Sequence, residues 1–151
     1  MAFNYTLPLR VAQGVLTIII LGLTAYDVSI WSPSETNFLL FCSIWTILAL
    51  AYLIVTPGRF PTAAHKYGIL GAELVTMIFW FAGFIAEASL LGDTECHKGT
   101  LCRTMQAATV FGAFEWLLFA ATSLMAGLHC WRTRNTHDDR ADPQMQVNPS
   151  V

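Results

Sequence analysis

The chain has 151 residues, of which 55% are hydrophobic and 12% charged, with a net charge of −2. A soluble domain carries roughly 25% charged residues, and an electrostatic nucleic-acid binder needs a basic field, so both classes are excluded. Four spans of about 20 residues with short connections fill this length, which points to one polytopic membrane domain. No zinc-type Cys/His spacing, G-x-G-x-x-G, G-x-x-x-x-G-K-[ST] or G-x-S-x-G is present, so the sequence suggests neither cofactor nor metal nor a known catalytic motif.

Residues 1–9 form a short lead in which Pro8 suits a helix start. The positive flank is Arg10 alone, the following apolar run is too long for a signal peptide, and a small-residue cleavage pattern is missing; an uncleaved first span is expected. That span is predicted over residues 10–30. Its Gln13, Thr17, Thr24 and Asp27 follow i, i+4 and i+3 steps, with Ile20 completing the stripe. Such a stripe packs inward, with Thr hydroxyls bonded back to the helix; a polar path for a solute is the alternative.

WSPSET, residues 31–36, reads as a tight turn with Trp31 as an interfacial anchor. The second span, 37–55, is the most lipid-like: residues 38–55 carry no charge, and Cys42 within it reads as an inert buried thiol. Residues 56–66 form a hydrophilic connection punctuated by Pro57, Gly58 and Pro61, made basic by Arg59, His65 and Lys66. His65 has no flanking ligand and reads as a solvated loop residue.

The third span, 67–91, contains AELVTMIFWFAGFIAEASLL. In a 3.6-residue helix Glu73, Trp80 and Glu87 fall on nearly one stripe, with Thr76 and Gly83 between them. Residues 92–103 form a hydrophilic loop holding Cys96 and Cys102. Their spacing suits a local disulfide in an oxidising compartment; zinc, with His97 beside Cys96, is the competing reading. The fourth span, 104–128, carries a stripe at 108, 112, 115, 119, 122 and 126 that reads Ala, Gly, Glu, Phe, Thr, Ala, a close-packing helix face with Glu115 at its middle. The domain is therefore expected over residues 1–128, and the polar tail, 129–151, to be disordered. Cys130 sits at the membrane edge, where S-palmitoylation or an unmodified thiol are both compatible with its position.

An acid or base at the centre of a membrane helix costs about 2.5–3.5 kcal/mol, so such groups face a bundle interior. Asp27, Glu73, Glu87 and Glu115 are expected to form an intramembrane polar seam. Glu73 and Glu87 stand roughly 21 Å apart along one helix, too far to act as a paired acid and base. Glu115 is expected near the midplane, closer to the level of Trp80 than to that of Glu73 or Glu87. Four spans put both ends on one side, with Arg10, Arg59, Lys66, Arg132, Arg134 and Arg140, against Lys98 and Arg103 on the other. The positive-inside rule then places both termini in the cytoplasm and the two-cysteine loop outside or in a lumen.

Four spans, a very short first outer turn and a C-x5-C second outer loop resemble the MARVEL-domain membrane proteins. AELVTMIFWFAGFIAEASLL and QAATVFGAFEWLLFAATSL are similar to the small MARVEL proteins of filamentous fungi, and LGLTAYDVS and NFLLFCSIWTILALAYL add to the likeness, which covers Leu9 to Leu128. The resemblance implies an all-α, antiparallel four-helix transmembrane bundle. It also implies an organiser of sterol-rich patches, vesicle traffic or membrane apposition, with Glu73 and Glu115 in packing roles and no catalytic residues. Claudins and tetraspanins fit poorly, because the first turn here has six residues.

Three functions follow as expectations. The first is a non-enzymatic scaffold in the plasma membrane or a secretory-pathway membrane. Its partners would be membrane lipids including sterols, other membrane proteins, or further copies of itself. The second is an intramembrane enzyme, or an accessory of an isoprenoid-type pathway. Glu115 would be its general acid, Glu73, Glu87 and Asp27 further candidates, and Trp80, Trp116, Phe79 and Phe81 would stabilise a cation. The third is a transporter or channel accessory that relays protons or cations along the acids.

Overall fold

The computed structural model describes residues 6–59, 66–94, 96 and 98–132, with residues 57–59 and 66 described by their backbone alone. Four helices follow one another: α1 (Thr6–Ile30), α2 (Ser34–Arg59), α3 (Lys66–Asp93) and α4 (Thr100–Arg132). Among the described residues there is no strand. Each helix is at least 25 residues long, and about 20 suffice to cross a 30 Å hydrocarbon core. All four are long and apolar enough to cross a membrane.

The helices outrun the predicted spans, α1 at its start and α2, α3 and α4 at both ends. α1 begins at Thr6, so Pro8 falls in its first turn, where a missing N–H costs nothing. The break between α1 and α2 is only residues 31–33. Pro33 O accepts from Asn37 N at 3.1 Å, and Asn37 Nδ2 donates to Ser32 Oγ at 2.8 Å. α2 continues through Pro57 into the segment expected to be a connection. A proline in a last turn removes one ladder bond, and the helix ends two residues later. α4 starts four residues before the expected span, which moves Cys102 out of the loop and into a buried position in its first turn. Gly99 precedes that turn with φ +114°, a conformation L side chains resist, and its carbonyl accepts from Arg103 N. At the other end α4 runs past residue 128 to Arg132; the rest of the tail, like His65 and His97, lies outside the described residues.

Each helix packs on its chain neighbours, and α4 closes back on α1, giving a four-sided antiparallel bundle. One of its ends holds the α1–α2 turn and the disulfide loop. The other holds the start of α1 and the end of α4. Ile20, Leu39, Trp80 and Phe119 fill the centre with no exposed surface, and Leu53, Ile69 and Ala126 form a second cluster toward the end where α1 starts. At Gly112 a Cβ would stand 3.3 Å from Phe84 Cβ and 3.7 Å from the Trp80 ring, so glycine lets α3 and α4 approach there.

The burial pattern is the reverse of a soluble protein. Glu73, Glu87 and Glu115 are 0% exposed, whereas Ile18, Leu48 and Leu124 are 64–65% exposed. Water would punish both halves of that arrangement, and hydrocarbon favours both. The chain is an all-α, four-span integral membrane protein.

Candidate functional site: an acid-bearing seam inside the bundle

Polar side chains line the inside of the bundle because each helix carries them on one stripe. On α1 the buried residues are Thr6, Arg10, Gln13, Thr17, Ile20, Thr24 and Asp27, the stripe expected from the sequence extended by Arg10 and Thr6. On α4 the buried set includes Ala108, Gly112, Glu115, Phe119, Thr122 and Ala126, all six positions of the expected stripe.

At the end where α1 starts, Arg10 Nη2 pairs with Glu73 Oε1 across the bundle, and both side chains are buried. Arg10 Nη1 donates to Gln13 Oε1 at 3.1 Å. Thr122 Oγ1 donates to Glu73 Oε2 at 2.6 Å, and Gln13 Nε2 reaches Thr122 Oγ1 at 3.4 Å. α1, α3 and α4 are thereby tied through one charged node. Hydrogen bonds to charged groups contribute about 1.5–3 kcal/mol, against about 1 for neutral ones, so this layer is the strongest polar tie in the bundle.

At mid-depth Thr17 Oγ1 lies 3.0 Å from Glu115 Oε1 and 2.6 Å from the Gln13 carbonyl, while Glu115 Oε2 has no partner. Two indoles cross the α2–α3 interface in opposite directions. Trp80 Nε1 donates to Thr46 Oγ1 at 2.9 Å, and Trp45 Nε1 donates to Thr76 Oγ1 at 3.1 Å. Each threonine passes its own hydrogen back to a backbone carbonyl, at 2.7 Å in both cases, and so has lone pairs free to accept. At the disulfide end, Thr36 Oγ1 donates to both oxygens of Glu87 at 3.0–3.1 Å, and Thr104 Oγ1 donates to Asp27 Oδ1.

The four acids of the expected seam are thus all fully buried, but they are not one site. Glu73 holds an arginine, Glu115 and Glu87 each meet a threonine, and Asp27 meets Thr104. Apolar side chains separate them: Ile20 stands between Thr17 and Thr24 on α1, and Phe119 between Glu115 and Thr122 on α4. Trp80 sits against Gly112 one turn from Glu115, but its N–H is committed to Thr46 rather than to the acid. Phe81 and Trp116, with ring centroids 5.5 Å apart, form an outward cluster with Phe84, and Phe79 belongs to a separate aromatic row with Phe38, Phe41 and Trp45 on the α2–α3 side.

The Arg10–Glu73 pair went unread in the sequence, where Arg10 counted only as a flanking charge. The signal was present, since Arg10 lies one helical step before Gln13 on the same stripe. Cys96 and Cys102 form a disulfide, with Cα atoms 5.7 Å apart, which takes both away from zinc. Cys42 is fully buried against the Phe79 carbonyl, and Cys130 is buried in the last turn of α4. Beside Cys96 and Cys102 a depression of about 490 Å³ is lined by Trp31, Thr94, Lys98, Leu101 and Met105.

Four membrane-crossing helices with an inward polar seam define a multi-pass integral membrane protein. The model of the MARVEL family, a membrane-associating domain, matches residues 2–125, and the chain belongs to that family. The chain is also similar to the uncharacterized membrane protein YDL218W of Saccharomyces cerevisiae, with 22% identity over 144 residues covering 80% of this chain. It spans 45% of that relative's length, a little under half. No solved structure matches it.

Proposed function

We propose that the protein is a non-enzymatic membrane organiser, whose rigid four-helix body presents a lipid- and partner-sorting outer surface. The observation that supports this reading most is the pairing of buried polar groups across helices around a packed apolar cluster. Paired groups fix helix register and rotation, and Ile20, Trp80 and Phe119 fill the space between the two polar ends. What then faces the surroundings is the apolar exterior, including the aromatic rows of α2–α3 and α3–α4.

In this reading both termini and the α2–α3 connection face the cytoplasm, and the disulfide loop faces an oxidising compartment. Arg10 is consumed in an ion pair, which lowers the basic count on the cytoplasmic side from six to five; five still outweigh Lys98 and Arg103. The partners are lipids of ordered, sterol-containing membranes and neighbouring membrane proteins.

Proximity labelling in the native membrane tests the proposal. A reproducible neighbour set is expected, one that changes when outward residues such as Ile18, Leu48 and Leu124 are replaced by alanine and survives Glu115→Gln. A neighbour set no different from that of an unrelated four-span protein would contradict it. One observation favours a second reading: Glu115 Oε2 is buried without a partner, as a general acid awaiting a lipophilic substrate would be. Loss of a lipophilic product in a folded, membrane-inserted Glu115→Gln variant would establish that alternative.

A further inference from the structure

At the disulfide end each helix turns one oxygen-bearing side chain inward: Asp27 from α1, Thr36 from α2, Glu87 from α3 and Thr104 from α4. Each stands only two to six residues inside its own helix end, so the four form a single layer beneath the mouth of the bundle. Asp27 and Glu87 are fully buried. Their hydrogen-bond partners are threonine hydroxyls. The layer at the opposite end sets its one acid, Glu73, against Arg10, whereas among the described residues no ion pair involves Asp27 or Glu87. Asp27 Oδ2 is moreover buried with no hydrogen-bond partner.

Two buried carboxyls without a base either hold their protons or take a cation, because removing a carboxylate from water without compensation costs several kcal/mol. Among the described residues no three acid, histidine or cysteine side chains assemble into a metal-binding group. A tetrahedral nitrogen–sulfur ion such as zinc therefore has no ligand set here. Two carboxylates with two hydroxyls suit a hard cation instead, and one divalent ion neutralises both acids. Calcium accepts irregular oxygen shells, whereas magnesium demands a near-ideal octahedron and sheds its water reluctantly. Thr104 can donate to the Leu101 carbonyl, 2.8 Å away, and turn an oxygen lone pair to the ion.

We propose that Asp27, Thr36, Glu87 and Thr104 bind one calcium ion, which clamps all four helices together at the disulfide end. The ion is held by a pair of carboxylates, and any proton either acid carries leaves as it binds. Sites with few charged ligands bind calcium at about 10⁻⁴–10⁻³ M. Saturation is therefore expected only near millimolar calcium.

The test uses the full chain in lipid nanodiscs. Equilibrium dialysis with radioactive calcium should find one ion per chain, and the unfolding midpoint should rise with calcium but not with equal magnesium. Calcium should also shield Asp27 and Glu87, but not Glu115, from a membrane-permeant carbodiimide, read by peptide mass spectrometry in the wild-type protein. Asp27→Asn combined with Glu87→Gln should abolish the calcium response, and Glu35→Gln should retain it. No bound calcium at about ten times the upper affinity limit above, or equal carbodiimide labelling of Asp27 and Glu87 with and without calcium, would overturn the proposal. The labelling result needs no variant and decides the matter even where the double variant fails to fold.

Discussion

Removing one partner of the Arg10–Glu73 pair should be the most damaging single change in the bundle, and removing both should be far milder. In Glu73→Leu the Arg10 guanidinium stays in a site where it is 4% exposed, keeping only its bond to Gln13, while the Thr122 hydroxyl falls back on the Leu118 carbonyl at 3.1 Å. Breaking a buried pair from one side costs about 3–5 kcal/mol. Arg10 lies in the second turn of α1 and its stem can bend toward the membrane surface, so the lower part of that range, about 3 kcal/mol, is expected. Arg10→Leu strands Glu73 deeper in the bundle and should cost at least as much. The double leucine variant fills the same space without charge and should lose about 1 kcal/mol or less, leaving a coupling of several kcal/mol. Neutral hydrogen bonds between membrane helices couple by only about 0.6 kcal/mol on average, so the two cases are well separated. The assay is reversible unfolding at fixed total detergent with a rising mole fraction of SDS, followed by circular dichroism. Single-variant losses that simply add in the double variant would refute the reasoning.

Gly112→Leu should destabilise by about 1–3 kcal/mol, because even a Cβ would crowd Phe84. Gly83→Ala, whose Cβ would meet Cys42 and Leu39 at an ordinary 3.5 Å, should stay within about 1 kcal/mol of wild type; the same unfolding assay separates the two. Trp80→Phe should cost about 1–2 kcal/mol through the lost bond to Thr46 and the space left behind, whereas Trp116→Phe, at a half-buried position beside the core, should cost less in the same thermal melts. Replacing Cys96 and Cys102 together by serine opens a short loop and should lower stability by about 2 kcal/mol on the chain-entropy account, read as a drop in melting temperature that reductant reproduces in the wild type. Gly99→Ala forces a side chain into φ +114° and should cost about 1–2 kcal/mol by the same melts.

How much of this was legible beforehand depended on where each signal lay. Four spans and the inward turn of Asp27, Glu73, Glu87 and Glu115 followed from apolar runs interrupted by acids, because hydrocarbon leaves such residues only one direction to face. The α1 stripe was readable from its spacing, and the α4 stripe matched at every position. The partners were another matter. Thr36 and Thr104 lay at a turn and a span boundary, where a hydroxyl reads as a cap or a surface group. The Trp80–Thr46 and Trp45–Thr76 bonds depend on the rotation of α2 against α3; Thr36, Ser43 and Thr46 mark the inward stripe of α2, but three hydroxyls in a long apolar run are a weak signal beside the acids of the other helices. Arg10 was misweighted because a cation at a span edge serves orientation and ion pairing equally well, and only the position of Glu73 decides between them.

Labelling from within the hydrocarbon tests the central claim most directly. A lipid-soluble carbene precursor, activated in membranes holding the intact protein and mapped by peptide mass spectrometry, should mark Val11, Ile18, Leu48, Ile78 and Leu124. It should spare Gln13, Thr17, Glu73, Glu87 and Glu115. Labels on the polar stripes, with the apolar stripes spared, would mean that the helices are rotated and that the seam does not exist.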